Sequence, residues 1–460
     1  MSRILVCGLC PLPVENTQKI YGPGIRTWQF TRALADAGHT VRLAAMRIED
    51  AYIEERPDGA DRIGGIEVFR TSPHQFLDGD LVKNEIESFQ PDAVVGANIY
   101  GSYALARWRP TMPFWADQNG HVMAEAQAKA ALDGSNRVLP YFWRMVNSVL
   151  GWADRISVIS ERQRHAVIGE LGCAGRLCHE TCGYEFVEVI PNALIPESIY
   201  ESTGDVDSSI VPPDAFVVLW SGSFNVWTDP VVVFEGMCIA MEKNPRIHFL
   251  STGGAIPGHD EKTYQRFTEL VASSPLRERF HLCGWVPSEE GGDYWKRADI
   301  GVLTELLMYE GELGSKNRIV QWLAYGLPVV YNRVGDLGDL LASREIGVVF
   351  QPGSAQDFAA KVLWSAEHPD EIRLMAERAK RYVEDELTFG ATTQGLVEWA
   401  DNPEFAPDRS IRGSITSPAD FVVPAPESKA SPSRSRLGSA LRQSKLVRKI
   451  AKRLYSAVTN

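Results

Sequence analysis

The 460-residue sequence has no apolar run long enough to cross a membrane, and its N-terminus lacks the apolar core of a secretory leader. The first residues, MSRILVCGLCPLP, instead predict a short buried strand at residues 4–7 and a loop after it. We therefore expect neither a membrane-spanning helix nor a signal peptide.

Cysteine is also scarce, with seven residues in the whole chain. An odd number of scattered cysteines in a long chain is typical of reduced thiols in a cytoplasmic protein. Cys173, Cys178, His179 and Cys182 stand close enough in sequence to suggest zinc, but their spacing fits no standard finger. We predict unliganded thiols, no metal site and a cytoplasmic location.

Positive charge is in short supply, since 47 Lys and Arg against 59 Asp and Glu give a formal net charge of −12. This balance argues against a general nucleic-acid binder. The deficit is uneven, because residues 401–460 contain 11 basic and five acidic side chains. Such an asymmetry predicts a tail with a role of its own.

What the chain does contain is an alternation of short apolar runs with helical or polar stretches. The runs lie at residues 4–7, 66–69, 93–96, 114–116, 156–159, 216–220 and 300–303. Buried runs separated by helices predict parallel sheets with helices on both faces, an α/β fold. The polar stretch at residues 196–213 predicts a linker between an N-terminal domain, residues 1–195, and a C-terminal domain, residues 214–388.

The most informative stretch is residues 299–333, which predicts a strand, a loop, a helix and a second strand. Gly326 ends the helix, and Pro328 opens the next strand. Acidic and basic side chains gather where the helix begins. Because ligands of open α/β sheets bind outside the carboxyl ends of the strands, we expect chemistry in this loop.

Within that stretch, QWLAYGLPVV at residues 321–330 resembles the E-A-M-A-x-G-x-P-V-V signature of retaining glycosyltransferases with the GT-B fold, the large family 4 type. The similarity runs from residue 4 to about residue 399 and includes DRISVIS at 154–160 and VIPNA at 189–193. The resemblance implies two Rossmann-like parallel-sheet domains that face each other across a cleft. The N-terminal domain would face the acceptor, the C-terminal domain would bind the nucleotide sugar, and a helix at residues 389–400 would cross back to the first domain.

Several loops match parts of the family's donor site. Gly22 and Gly24 precede a helix, where backbone N–H groups can approach an anion, and the resemblance places this loop near the donor phosphates and the acceptor. His121 resembles the family's cleft histidine, which contacts the donor sugar; a helix cap or a surface-loop histidine is the alternative. Trp285 and Val286 match a segment whose backbone contacts the nucleobase.

Several positions depart from the family pattern, among them Leu313, which stands where the first glutamate of the E-x7-E motif would be, with Glu310 and Glu312 beside it. Ser223 and Thr228 stand where an arginine and a lysine usually hold the donor diphosphate. Gln321 replaces the second glutamate of the E-x7-E motif, which binds the nucleotide ribose, although an amide can still form hydrogen bonds. The loop that contains Ser223 and Thr228 instead resembles a sub-branch of the family with the pattern G-x-x-N-x-W-x-D. The matching residues here are Gly222, Asn225, Trp227 and Asp229.

Lys316 and Arg318 are the candidates to replace the missing clamp. A fixed cation beside the leaving diphosphate lowers the barrier, and the loss of one such contact typically costs about 3 kcal/mol. The alternative is that both are solvated residues in the first turn of a helix, where positive charge is unfavourable. We predict catalytic roles for His121, Glu312, Lys316 and Arg318, with Glu312 facing the sugar. We predict donor binding by Gly22, Gly24, Gly222, Ser223, Asn225, Trp227, Trp285, Val286, Glu310, Gly314 and Gln321.

The tail has two parts. Residues 401–434 are rich in Pro, Ser and charge, which predicts a flexible linker. Residues 435–460 alternate apolar and basic side chains at helical spacing, which predicts a basic amphipathic helix. We expect this helix to dock on an anionic membrane surface at about 1 kcal/mol per basic residue; its alternatives are the enzyme's own acidic surface or a partner protein.

Together these features predict a glycosyltransferase that moves a sugar from a UDP-, GDP- or ADP-sugar to a hydroxyl of a glycan, lipid carrier or polysaccharide precursor. We expect retention of configuration, no metal or other cofactor, no nucleic-acid partner, and a cytoplasmic enzyme on the inner face of the cytoplasmic membrane. The rival hypothesis is a non-catalytic GT-B protein that binds nucleotide or glycan as a scaffold in a glycan-assembly complex. A sugar-nucleotide epimerase is a weaker third hypothesis.

Overall fold

A computed structural model describes residues 1–15, 17, 21–48, 51–52, 58–196, 206, 210–256, 258–287 and 290–412. These residues belong to one compact unit, Met1–Gly413, which contains two sheets. The predicted amphipathic helix at residues 435–460 and most of the two predicted linkers lie outside the described residues.

The first sheet has eight strands, in the order β3-β4-β2-β1-β5-β6-β7-β8. They are β1 Arg3–Cys10, β2 Thr40–Arg47, β3 Gly59–Ile63, β4 Ile66–Thr71, β5 Ala93–Gly96, β6 Phe114–Gln118, β7 Arg155–Val158 and β8 Val187–Val189. All neighbouring strands are parallel except β3, which pairs antiparallel with β4 at the edge.

Helices cover both faces of this sheet. They are α1 Gly22–Asp36, α2 Pro73–Leu77, α3 Leu81–Phe89, α4 Asn98–Arg107, α5 Val122–Asp133, α6 Leu139–Trp152 and α7 Glu161–Cys173, with a 3-10 helix at Asn136–Val138. Ile4 and Val6 of β1 belong to one apolar cluster, and Leu5 and Cys7 belong to another. Because successive strand side chains point to opposite faces, the two clusters are the two sides of the sheet.

The second sheet has six parallel strands, in the order β11-β10-β9-β12-β13-β14. They are β9 Phe216–Ser221, β10 Ile247–Thr252, β11 Phe280–Gly284, β12 Ile300–Leu303, β13 Val329–Asn332 and β14 Gly347–Phe350. Its helices are α8 Pro230–Lys243, α9 Lys262–Ser273, α10 Gly291–Arg297, α11 Tyr309–Leu313, α12 Asn317–Ala324, α13 Gly335–Ser343, α14 Ala355–Glu367 and α15 Pro369–Glu386, with a 3-10 helix at Arg277–Arg279. The predicted α/β class with two parallel-sheet domains is confirmed.

After α15 the chain returns to the first sheet through α16 Phe389–Thr392 and α17 Gln394–Asp401. The rings of Trp399 and Trp115 meet edge to face with centroids 5.4 Å apart. The Ser2 hydroxyl donates a hydrogen bond of 2.7 Å to the Ala400 carbonyl oxygen. Helix α17 is therefore part of the core of the first domain, although it follows the second domain in sequence.

The predicted flexible linker does not begin at residue 401, because residues 402–412 contain buried side chains. Ala406 and Asp408 are buried. The Asp408 carboxylate pairs with Arg176 and, at 3.2 Å, with Nε of Arg412. Composition alone misses this packing, because one buried carboxylate between two arginines leaves no periodic pattern.

Two findings concern membranes and metals. No helix in the described ranges combines the length and apolar character needed to cross a membrane. Within the same ranges, no three His, Cys, Asp or Glu side chains are grouped so that they could hold a metal ion.

Candidate active site

Loops from the carboxyl ends of both sheets meet at one place. Helix α11, from the loop after β12, contacts α5 and α7 of the first domain. The Ser160 hydroxyl at the start of α7 donates a 2.7 Å hydrogen bond to the Leu313 carbonyl oxygen. This is the edge where open α/β sheets bind ligands, so the cleft is the candidate site.

The centre of the cleft on the second domain is a cluster of charges around Lys316. Its Nζ lies 2.7 Å from Oε1 of Glu305 and 2.7 Å from Oε1 of Glu310. The Tyr331 hydroxyl donates a hydrogen bond to Oε2, the other carboxylate oxygen of Glu305. Burial alone would lower the pKa of Lys316, but the two carboxylates outweigh burial and raise it. Lys316 is therefore a fixed cation, and the alternative that it is a solvated residue does not fit.

Arg318 lies beside the loop that follows β9. Its Nη1 donates to the Ser221 carbonyl oxygen at 3.0 Å, and its Nη2 donates to the Ser223 carbonyl oxygen at 3.1 Å and to the Ser223 hydroxyl at 3.3 Å. Gly222, with φ of +101°, leaves room for it, since a Cβ there would lie 3.1 Å from the guanidinium carbon. Burial lowers the pKa of Arg318 to about 10, so it stays charged at neutral pH.

Hydrogen bonds within the loop between β9 and α8 fix its conformation next to Lys316 and Arg318. Asn225 donates a 3.0 Å hydrogen bond to the Ser223 hydroxyl, and the Thr228 hydroxyl donates a 2.7 Å bond to the Asn225 carbonyl oxygen. Lys316 Nζ lies 5.4 Å from the centre of the Trp227 ring. The structure thus brings together seven of the predicted site residues on the second domain: Gly222, Ser223, Asn225, Trp227, Glu310, Lys316 and Arg318.

The glycine turn of the first domain reaches the same place. A Cβ on Gly22 would lie 3.2 Å from Nδ2 of Asn317, the first residue of α12. A Cβ on Gly24 would lie 1.9 Å from the Pro11 carbonyl oxygen, so only glycine fits there. Gly22 therefore sits against the second domain, and Gly24 allows the turn to pack.

His121 caps α5. Its Nδ1 accepts a 3.2 Å hydrogen bond from the Ala124 N–H, and its Nε2 lies 3.2 Å from Oε1 of Glu170. Both ring nitrogens are occupied within the first domain. The geometry matches the cap that we gave as the alternative, and a contact with donor sugar stays a prediction.

Two predicted site residues have their partners outside the Lys316 cluster. Glu312 does not lie in the Lys316 cluster, because its carboxylate pairs with Arg162 of α7. Glu310, two residues earlier, occupies that cluster instead. Both ends of the Gln321 amide have backbone partners, because its nitrogen donates to the Ala193 carbonyl oxygen at 3.1 Å and its oxygen accepts from the Ile195 N–H; donor binding by Gln321 stays a prediction.

The remaining predicted residues lie near the rim or support the loops. Trp285 is exposed, and its indole N–H donates a 2.9 Å hydrogen bond to the Ala255 carbonyl oxygen. Val286 packs at the edge of the second core. Gly314 follows α11, where a Cβ would lie 2.6 Å from the Glu310 carbonyl oxygen, so this turn also requires glycine.

Four residues of the cleft were missed in the sequence. Glu305 follows β12 by two residues, a position at a strand end that could have revealed it. Tyr331 lies within β13, where it resembles an ordinary buried aromatic. Arg162 and Glu125 come from the first domain, and no local pattern links them to Lys316.

Two family models match the chain in succession. The family described as "Glycosyltransferase Family 4" matches residues 20–194, and the family described as "Glycosyl transferases group 1" matches residues 215–368. No curated protein sequence matches.

Solved structures with the same arrangement of domains are similar over most of the chain. Sucrose-phosphate synthase from Thermosynechococcus elongatus is 15% identical, with a TM-score of 0.67 over 87% of this chain and 98% of that one. Anabaena HepE in complex with UDP and glucose is 15% identical, with a TM-score of 0.60 over 87% of this chain and all of that one. The E. coli trehalose-6-phosphate protein bound with UDP-2-fluoro glucose is 12% identical, with a TM-score of 0.63 over 88% and 100%. At these identities the likeness establishes the fold.

Proposed function

Because the chain belongs to the GT-B glycosyltransferases of family 4 and group 1, we propose that its cleft transfers a sugar from a nucleotide diphosphate sugar to an acceptor hydroxyl. In this proposal Arg318 and Lys316 hold the donor diphosphate in place of the usual clamp. The reaction retains the configuration of the sugar and uses no metal.

The observation that carries the proposal is where the two cations lie. The family pattern has an arginine at position 223 and a lysine at position 228. Arg318 hydrogen-bonds the backbone and hydroxyl of Ser223, and Lys316 lies over the ring of Trp227, next to Thr228. The two cations at the start of α12 therefore lie beside the β9 loop, in which the family pattern has its arginine and lysine.

The chemistry follows from the charge that develops on the leaving group. As the bond between sugar and diphosphate breaks, a fixed guanidinium and ammonium stabilise the new negative charge, each worth about 3 kcal/mol. With retention, the acceptor hydroxyl attacks from the face that the diphosphate leaves, and a phosphate oxygen takes its proton. In this proposal Glu310, which lies in the Lys316 cluster, contacts the sugar in place of Glu312, which pairs with Arg162.

A similar solved structure suggests the base of the donor, and the basic C-terminal segment suggests the acceptor. HepE binds UDP and UDP-glucose, which makes UDP-sugars the first donors to test. The basic segment at residues 435–460 supports an acceptor on a lipid carrier or a polysaccharide precursor at an anionic membrane surface, with the enzyme on the cytoplasmic side.

A non-catalytic scaffold is the second candidate. It is favoured by the two carboxylates that already neutralise Lys316 and by the backbone groups that occupy Gln321. Arg318 argues for the enzyme, because within the described residues no carboxylate lies within ion-pair distance of it. A partly buried cation held only by carbonyl and hydroxyl oxygens suits an anionic ligand.

A thermal-shift panel of UDP, GDP, ADP and their glucose conjugates tests the proposal. Ligand at 100 times its dissociation constant stabilises the native state by about 2.7 kcal/mol, which is readily measured. We expect one nucleotide family to stabilise the wild type and the exposed control Arg373→Gln, and to stabilise Arg318→Gln much less. No stabilisation by any nucleotide would remove the donor site and leave the scaffold hypothesis. Product analysis by NMR then reports the configuration at the transferred carbon.

A further inference from the structure

Glu125 is a cleft carboxyl group that the proposed mechanism does not use. It lies in the first turn of α5 on the first domain, and α5 packs against α11, the helix of the second domain that carries Glu310 of the Lys316 cluster. Across the described part of the chain it has no hydrogen-bond or ion-pair partner. The other carboxylates at this place, Glu305, Glu310 and Glu312, each have a cation.

The local fold makes room for this side chain. Gly120 has φ of +96°, and a Cβ there would lie 2.3 Å from Oε1 of Glu125. The positive φ by itself favours glycine at this turn, and the missing Cβ leaves room for the Glu125 carboxyl group beside it.

We propose that Glu125 is a substrate-binding residue of the transfer, whose carboxyl group hydrogen-bonds the sugar of the donor from the side opposite Glu310. The inference rests on the proposed function. It gives the first domain a second candidate for sugar recognition besides His121, whose two ring nitrogens already have partners within that domain.

The charge state of Glu125 fits this role. Burial, followed by the charge of Glu310, raises its pKa to about 8, and Lys316 opposes the rise. Tyr100 of α4 is also within electrostatic range of it. The α6 and 3-10 helices that pack against α5 contribute no charge to this shift among the described residues. At neutral pH the group is mostly a neutral acid, which can donate a hydrogen bond without repelling a diphosphate.

Isothermal titration of matched ligand pairs separates sugar recognition from nucleotide binding. The ligands are UDP and UDP-glucose, GDP and GDP-glucose, and ADP and ADP-glucose, on the wild type, Glu125→Ala, Glu125→Gln and the exposed control Glu87→Gln. We expect Glu125→Ala to weaken the nucleotide sugar about 5-fold, the size of one hydrogen bond, and the nucleotide diphosphate less than 2-fold. We expect Glu125→Gln to bind the nucleotide sugar nearly as the wild type does at pH 7.

The pH dependence is the second readout. Between pH 7 and pH 9 the wild type should lose affinity for the nucleotide sugar as Glu125 ionises, whereas Glu125→Gln should not. The folded-state pKa is raised, so the stability that Glu125 contributes is present at low pH and is lost as the pH rises through about 8. Glu125→Gln should therefore melt no lower than the wild type at pH 7 and higher at pH 9.

Four outcomes overturn the inference. Equal weakening of nucleotide and nucleotide sugar in Glu125→Ala would mean that the residue does not contact the sugar. A lower melting temperature of Glu125→Gln at pH 9 would assign it a structural role. Failure of every ligand to bind the wild type would refute the proposed function, and the inference with it, whereas ligand binding with unchanged affinities in both variants would refute the inference alone.

Discussion

Replacing Lys316 by methionine removes the positive charge that two buried carboxylates share. The side chains of Glu305 and Glu310 are 0% and 7% exposed, and both lie 2.7 Å from the Lys316 nitrogen. Removing one partner of a buried ion pair typically costs 3–5 kcal/mol, because the remaining charge is left in a poorly solvated place. The variant can escape the full cost by taking up a proton on Glu310.

The cost of protonating Glu310 sets the size of the stability loss in Lys316→Met and its dependence on pH. Protonating a carboxyl group costs about 1.4 kcal/mol for each pH unit above its ordinary pKa of about 4.3, hence about 4 kcal/mol at pH 7.3 and about 1.4 kcal/mol at pH 5.3. In the variant the folded-state pKa of Glu310 lies above the unfolded value, so the stability deficit is small near pH 4.3 and grows as the pH rises. We expect Lys316→Met to lose about 4 kcal/mol of unfolding free energy at pH 7.3 and much less at pH 5.3.

Urea unfolding followed by tryptophan fluorescence measures this difference. The matched control is Lys83→Met, which breaks a pair whose side chains are 47% and 65% exposed and should change stability by less than about 1 kcal/mol. Adding Glu310→Gln to Lys316→Met should recover part of the loss at pH 7.3. A deficit that does not depend on pH, or a double variant as unstable as the single one, would refute the reasoning.

Three further predictions follow from contacts of named residues. Asp408→Ala should lower the unfolding free energy by about 3–5 kcal/mol, because Arg176 and Arg412 lose a buried carboxylate partner. The surface control Asp370→Ala should change the unfolding free energy by less than about 0.5 kcal/mol. Equal effects of the two substitutions would disprove the packing of residues 402–412. Gly24→Ala should lower the soluble yield and the melting temperature, because its Cβ would meet the Pro11 carbonyl oxygen. Gly390→Ala should change neither, because a Cβ there has no atom within 4 Å. A normal melting curve for Gly24→Ala would contradict the close packing of this turn. Arg162→Ala should lose about 1 kcal/mol or less, since its three carboxylate partners are partly exposed, and a loss above 3 kcal/mol in urea would contradict that estimate.

The parts of the fold that depend on local pattern were predictable. The strand at Ala93–Gly96 is a continuous apolar run and has the predicted bounds, and Gly326 ends α12 with φ of +73°. The antiparallel edge strand Gly59–Ile63 was missed because its side chains are almost all exposed, so no apolar periodicity marks it.

The sequence could predict only the part of the candidate site that lies within one continuous segment of the chain. Lys316 and Arg318 stand out at a helix start, and their placement by Ser223 and Trp227 supports the prediction that they replace the clamp. Glu310 and Glu312 could not be told apart, because the partner that distinguishes them is Arg162, 150 residues away from Glu312. Glu125 faces the site only after the two domains come together.

A crystal structure of the chain with the nucleotide diphosphate sugar that gives the largest thermal shift tests the central claim most directly. The account predicts the diphosphate within hydrogen-bond distance of the Arg318 guanidinium, between the Gly22 turn and the start of α12, with the sugar towards Glu310. A diphosphate bound away from Arg318 and Lys316 would contradict it.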